Sequence, residues 1–426
     1  MKIALLTEKY TPDIGGLAIS SERLARLLSS AGYADAVRVF SPTGSLPPSE
    51  QRTLTSSGAI VTRFGAHKRA DDTLVDWFDL IVEEHAREPF DVLHAYFLTQ
   101  AGFIATLAGR YLNIPSVVSI RGNDVDRAAF DPARFSHTMF ALQNANVVTA
   151  NAKESIRKAK AFFDREIVLI PNGVDTNHFK PMKRNEGLAK SLGLQSNVIL
   201  PKKHRDDVSE ATLAPGASAG ENLSHVAQDS SVATLPQSDT TPVIGFVGEL
   251  REKKGLRALL NGYAQINQRH PSALLIVGEV RRGEDRLLFD TLCASIPHST
   301  IVETGYIPPA DLPAYYSLMD VFVHPSVRDG MPNALLEALA CERAVVVTPV
   351  GGAKDIIEDG VNGVFAAVND SEMLAAKVLV LLEDSGLRAQ LGANGRALVI
   401  ERFSPQKELE ANLKIYQRLG ALNNFP

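Results

Sequence analysis

Short apolar runs alternate along this chain with longer segments in which apolar residues recur every three or four positions. The runs in the first half are KIALLT (2–7), AVRVF (36–40), AIVTRF (59–64), DVLHAYF (91–97), SVVSI (116–120), NVVTA (146–150) and EIVLIP (166–171). Helical spacing appears between them in AISSERLARLLSSAG (18–32), TQAGFIATLAGRYLN (99–113) and AKESIRKAKAFF (152–163). Near-continuous apolar runs read as strands buried on both faces, and their alternation with helices predicts a parallel α/β layer.

The pattern restarts at PVIGFVG (242–248) and LRALLNGYAQINQ (256–268), then continues through ALLIVG, IVETGY, LPAYYSLMD, VFVHPS, NALLEALAC, AVVVTPV and GVFAA. Two α/β units are therefore expected, over 1–180 and 242–404, meeting at a cleft along the C-terminal edges of their sheets. Between them, 181–241 reads as a linker. Its stretch from about 203 to 241 is rich in Ala, Ser, Asp and Pro, too poor in apolar surface to offset the entropy of ordering, and is expected to be disordered. SPQKELEANLKIYQRLG (404–420) places Leu409, Leu413 and Tyr416 on one face, so a final helix over about 405–426 should pack back onto the first unit.

Length changes little in this picture: 426 residues suit two domains. A formal net charge of −5 argues against nucleic acid as a partner. The two cysteines, Cys293 and Cys341, have no metal-ligand or redox spacing, which fits a reducing compartment. No window reaches the roughly 18 apolar residues of a membrane span. A cytoplasmic protein is expected, with peripheral contact at the inner membrane face left open.

Candidate chemistry concentrates in HPSVRDGMPNALLEALACERAVV (324–346), where Asp329 precedes a Gly-Met-Pro turn and Glu337 sits inside an apolar helix. Glu337 either occupies a narrow solvent stripe, pairs with Arg343, or accepts from the vicinal hydroxyls of a ligand such as a ribose. Pro332 is welcome at a helix start, and the turn offers the amides of Gly330, Met331 and Asn333 at a helix N-terminus, suited to anions or sugar oxygens. No dinucleotide-binding G-x-G-x-x-G follows a strand, and there is no Walker A sequence.

The segment from 324 to 365, HPSVRDGMPNALLEALACERAVVVTPVGGAKDIIEDGVNGVF, resembles the donor-binding pattern of family 4 glycosyltransferases, E-x7-E followed by Pro-Val-Gly-Gly and Gly-x-x-Gly. YTPDIGGLA, DVLHAY, RGNDVD, IPNGVDTNHFKP, GFVGELREKKGL, GYIPPADLPAYYSLMDVFVHPS and ERFSP extend the resemblance over nearly the whole chain outside the insertion. It implies the GT-B fold, two Rossmann-like parallel-sheet domains facing a central cleft, and a retaining transfer of a hexosyl unit from a UDP- or GDP-linked sugar. The acceptor would be a saccharide, a lipid-linked intermediate or a small molecule, in polysaccharide or related glycoconjugate synthesis. By the same resemblance Glu337 holds the ribose, Asp329 the hexose hydroxyls, and Lys254 the diphosphate. Gly15, Gly16, Gly330, Met331, Pro332 and Asn333 line the donor, and Tyr306 and Ile307 its base. His94 is a candidate for direct catalysis, and Tyr96, standing where the family has its histidine near the reacting sugar, lies with Arg121 and Asp124 on the acceptor side. No metal or other cofactor is implied.

The chain departs from the family in four places: Asp329 stands for Glu, Glu249 for an arginine that shares the diphosphate, Tyr96 for a histidine, and Arg121 for another. Arg251 and Arg281 are candidate replacements for the missing cation. His94, ending a buried run, also reads as a plain core residue, Tyr306 as strand-end packing, and Lys253 and Lys254 as a solvated pair. A nucleotide-sugar epimerase or hydrolase of the same fold, or a weakly active sugar-nucleotide-binding assembly protein, are the alternative functions.

Overall fold

A computed structural model describes residues 1–13, 15–32, 36–128, 130–194 and 241–420. Eight strands form the first sheet: β1 (Lys2–Thr7), β2 (Ala36–Pro48), β3 (Gln51–Ser56), β4 (Ala59–Gly65), β5 (Val92–Tyr96), β6 (Ser116–Ile120), β7 (Val147–Ala150) and β8 (Val168–Leu169). Their order is β3-β4-β2-β1-β5-β6-β7-β8, parallel except for β3, which runs antiparallel to β4 at the edge. The second sheet takes β9 (Val243–Val247), β10 (Ala273–Val277), β11 (Thr300–Glu303), β12 (Val321–His324), β13 (Ala344–Val347) and β14 (Val364–Phe365) in the order β11-β10-β9-β12-β13-β14. Strand order reverses direction at β1/β5 in one sheet and at β9/β12 in the other. Open α/β sheets bind ligands beyond the carboxyl ends of such strands.

Period-two alternation splits each strand between two cores. In the second sheet Val243, Leu275, Phe322 and Val345 face one core, while Ile244, Leu274, Val321 and Val346 face the other. In the first, Ala4, Leu6, Leu93 and Ala95 pack on one side, and Ile3, Leu5, Val92 and Tyr96 on the other. The C-terminal helix Pro405–Arg418 covers that last face with Leu413, Ile415 and Tyr416. Its start is capped by Ser404, whose side chain accepts from the Lys407 N–H.

Two features differ from the sequence reading. β3 is an extra strand, almost wholly exposed, whose polar text QRTLTS carries no burial signal. The chain also leaves the first unit before residue 180: Val174 and Phe179 already pack with the second core, as do Ala189 and Leu194. The Ala- and Ser-rich stretch at 203–240 and residues 421–426 lie outside the described residues. No helix among the described residues is long and apolar enough to cross a membrane.

Candidate active site

The turn after β12 gathers most of the candidate residues. Pro332 caps the helix Asn333–Ala340, and Leu335, Leu336, Leu339 and Ala340 bury its apolar faces completely. Glu337 goes in with them, at 9 % exposure. The Tyr316 hydroxyl donates to its Oε2 at 2.8 Å, and no protein donor among the described residues reaches Oε1. Burial pushes the carboxyl above its ordinary range, against the pull of the Tyr316 hydrogen bond and the Arg23 and His178 charges. Arg343 is not its partner. That guanidinium donates to the carbonyls of Cys341 and Met319.

Lys254 reaches the same turn from β9. It ends a 3-10 turn, Glu252–Lys254, followed by Gly255 at φ 83°, a backbone conformation that suits glycine. A Cβ on Gly255 would lie 2.0 Å from the Pro325 carbonyl oxygen, so only glycine lets the turn press against the end of β12. The Val327 N–H donates to the Lys253 carbonyl at 2.9 Å and ties the two loops together. Lys254 Nζ then lies 2.5 Å from Asp329 Oδ2, which also accepts from His324 Nε2 at 2.9 Å. Burial alone would raise the Asp329 carboxyl, but Lys254 and His324 outweigh it and hold it well below the usual carboxylate range. His324 is a site residue that the sequence reading missed; its signal was a histidine closing the apolar run VFVH.

Glu249 does not face an unpaired cation. Arg251 Nη1 sits 3.1 Å from its Oε2, so the first candidate to replace the missing arginine is tied to the acid. Arg281 is placed by its backbone, whose N–H donates to the Leu250 carbonyl, beside the Leu250–Val280 bridge. Tyr306 is half exposed in the loop after β11, and Ile307 packs against the second core.

The residues expected on the acceptor side have turned inward. His94 shares strand parity with Val92 and Tyr96, so it faces the C-terminal helix and not the cleft. It is fully buried, with Nδ1 2.6 Å from the Tyr416 hydroxyl and Nε2 2.8 Å from the Ser119 hydroxyl. Burial, aided by the Arg121 charge, pushes its pKa down to about 3. Both imidazole nitrogens are thus engaged by protein hydroxyls, the arrangement of the core residue that His94 also reads as. Tyr96 is likewise buried, with its hydroxyl donating to Glu408 at 3.3 Å. Asp124 is 1 % exposed and accepts from the N–H groups of Leu98, Arg121, Gly122 and Val125, which fixes its own loop and not an acceptor. Arg121 stacks over the Tyr96 ring at 3.6 Å and donates to Asn172 Oδ1 at 3.0 Å.

Asn172 carries the contact across the cleft. Its Nδ2 donates to Asn333 Oδ1 at 2.8 Å, and Asn333 Nδ2 donates in turn to Ser20 Oγ at 3.4 Å. Gly16, opening the helix Gly16–Ser30, lies over the same side chain: a Cβ there would be 3.8 Å from Asn333 Nδ2. Gly15 precedes it at the helix start. Gly122 and Gly330 meet back to back, since a Cβ on Gly122 would fall 2.7 Å from the Gly330 Cα. Met331 is buried behind them in the second core. A second bridge joins Glu154 Oε2 to the Gly351 N–H at 3.1 Å, and the Lys153 N–H to Asp355 at 2.8 Å. The turn from Asp329 to Asn333 is therefore covered by the first unit.

Beside the Gly15–Gly16 loop, the first unit has a cavity of about 430 Å³ lined by Glu8, Lys9, Asp13, Pro42, Thr43, Gly44 and Arg63. Arg63 holds both Asp13 carboxylate oxygens, at 3.1 and 3.0 Å. Glu8 accepts from Thr99 and the Gln100 N–H, and burial raises its carboxyl against those bonds. Among the described residues no cluster of His, Cys, Asp and Glu is placed to hold a metal ion.

Comparison with known proteins bears on this geometry. Residues 14–178 match the model of Glycosyltransferase Family 4, and residues 241–384 that of Glycosyl transferases group 1. A D-inositol 3-phosphate glycosyltransferase of Salinispora arenicola is 32 % identical over 77 % of this chain and 68 % of its own. Among solved structures, a sucrose-phosphate synthase of Thermosynechococcus elongatus superposes with a TM-score of 0.77 at 19 % identity, over 99 % of each chain. HepE of Anabaena, in complex with UDP and glucose, does so at 0.73 and 18 %, over 99 % of this chain and 100 % of its own. These likenesses establish the GT-B fold for the two sheets.

Proposed function

This chain belongs to the group 1 glycosyltransferases of the family 4 type, and on that premise we propose that it moves a hexosyl unit, with retention, from a nucleotide-diphosphate sugar to a hydroxyl acceptor. The observation that carries the donor assignment is Glu337: a carboxylate sunk in an apolar helix, with one oxygen held by Tyr316 and the other without a protein donor among the described residues. A burial of that kind costs several kcal/mol in effective terms unless hydrogen bonds compensate it, and a ribose diol supplies them. Lys254, beside the turn, meets the charge that grows on the departing diphosphate.

The acceptor takes the cavity of the first unit. Its lining of carboxylates, Lys9, Thr43 and the Arg63–Asp13 pair suits a polyhydroxyl head group. No side-chain base is assigned. The acceptor hydroxyl gives its proton to the leaving phosphate oxygen as the new glycosidic bond forms on the face the leaving group departs from. HepE, which binds UDP and glucose, supports a uridine donor by analogy.

The test pairs binding with turnover. UDP-glucose, UDP-galactose, UDP-N-acetylglucosamine and GDP-mannose are screened by thermal shift, then by nucleotide release with saccharide acceptors, and the product anomer is read by NMR. At least one donor should raise the melting temperature and be turned over to an α-linked product. Binding without transfer to any acceptor would favour a sugar-nucleotide-binding assembly role, and neither binding nor release would sink the proposal.

A further inference from the structure

The first acid of the pair is short and its oxygens are occupied. Asp329 Oδ2 accepts from Lys254 at 2.5 Å and from His324 at 2.9 Å, while Oδ1 accepts from the Gly330 N–H at 3.0 Å. An ionised carboxylate has about four acceptor directions, so three protein donors nearly fill it. The side chain is 13 % exposed. Its backbone is packed as tightly: a Cβ on Gly351 would lie 2.2 Å from the Asp329 carbonyl oxygen.

Lys254 has the complementary need. A lysine carries about 2 kcal/mol of rotamer entropy, so an ammonium left to wander contributes less to a transition state than one already in place. Glu249 holds Arg251, so that guanidinium does not share the task. A glutamate at 329 would carry its carboxylate one methylene further into the cleft. Aspartate draws it back to where Lys254 and His324 both reach it.

We propose that Asp329 acts on the donor through Lys254, as a positioning residue that fixes the ammonium where the diphosphate departs, and that it does not read the hydroxyls of the transferred hexose. The inference rests on the donor reading above and replaces the hexose contact that the family resemblance implies for this position. Selectivity between epimeric sugars then originates elsewhere in the cleft. His324 shares the task by fixing the same oxygen.

Three variants test it: Asp329→Asn, Lys254→Ala and the double substitution. They are assayed on whichever pair the wild type uses, UDP-glucose with UDP-galactose, UDP-N-acetylglucosamine with UDP-N-acetylgalactosamine, or GDP-mannose with GDP-glucose. Asp329→Asn should lower kcat by about tenfold or more while donor KM and the kcat/KM ratio between epimers stay within about threefold. The double variant should be no slower than Lys254→Ala, since two residues acting as one unit do not multiply. An epimer ratio that moves more than about fivefold, or a double loss equal to the product of the single losses, overturns the inference. Should Asp329→Asn unfold the turn, His324→Phe, which removes one donor to Oδ2 and can still stack on Phe322, is read in the same way. A wild type that uses none of these donors defeats the donor reading itself, an outcome distinct from a shifted epimer ratio in an active enzyme.

Discussion

The two sides of the cleft use their polar residues in opposite ways. On the second unit, Lys254 and Glu337 each meet a single protein side chain among the described residues, Asp329 and Tyr316. On the first, His94, Tyr96 and Asp124 spend their polar atoms on the protein, binding the C-terminal helix and a loop. The difference follows from where each residue leaves its sheet. Lys254 and Glu337 sit on turns and helix beyond the strand ends, whereas His94 and Tyr96 are still inside β5 and obey its alternation. A polar residue near a strand end is thus assigned by parity before it is assigned by type.

The sharpest way to break this comparison is Glu337→Ala. Two charge-assisted hydrogen bonds of about 1.5–3 kcal/mol each correspond to a loss of roughly 10²–10⁴ in kcat/KM. Thermal melting supplies the control, because the same substitution also removes a buried carboxylate and leaves the Tyr316 hydroxyl with the Ala334 carbonyl, 3.2 Å away, as its acceptor. Activity within a few-fold of wild type would mean that the second unit spends its acids on the protein as the first does.

How much of this could be read without coordinates follows the same division. The two sheets were legible because every strand except β3 contains a short apolar run, and the repeat of the pattern after residue 241 announced a second unit. Lys254 read as one of a solvated pair except through the family resemblance, whereas Asp329 and Glu337 were legible as a pair, because Pro332 and the Gly330 turn fix a helix start between them. Tyr316 was not, being 21 positions from Glu337 and printed as one more aromatic in LPAYYSLMD. The cover over His94 was not legible although VLHAY displays its parity, since nothing in the text says that Tyr416, 322 positions away, covers that face. Asn172 and Arg23 were missed for the same reason. Their partners Asn333 and Glu408 come from the other unit and the last helix.

Asn172 tests whether the two sides are coupled or merely adjacent. It accepts from Arg121 on one side and donates to Asn333, the first residue of the Glu337 helix, on the other. Asn172→Ala removes two neutral or singly charged bonds of about 0.5–1.5 kcal/mol each, which predicts a loss of about tenfold in kcat/KM with nucleotide affinity less affected. The pattern to look for is in the kinetics: a fall in kcat with UDP affinity kept, measured by calorimetry, marks a contact made as the units close. Equal losses in both would assign Asn172 to the donor side alone.

The smallest effect on catalysis, and the most discriminating for the first unit, comes from His94→Gln. An imidazole that only supports the fold predicts kcat within about twofold of wild type and a lower stability, because its bonds to Tyr416 and Ser119 are remade imperfectly. Its pH dependence has a definite sign. Burial lowers the folded-state pKa to about 3, below the value of about 6.5 in the unfolded chain. Between those values the unfolded chain binds the extra proton, so His94's contribution is complete above pH 6.5 and is lost as pH falls, with a limiting slope of about 1.4 kcal/mol per pH unit. Urea unfolding of wild type and variant at pH 7.5, 6.5, 5.5 and 4.5 should therefore give a stability difference that narrows toward acid. Parallel curves, together with a kcat about tenfold lower in the variant, would return His94 to the reacting centre and remove the contrast between the two sides.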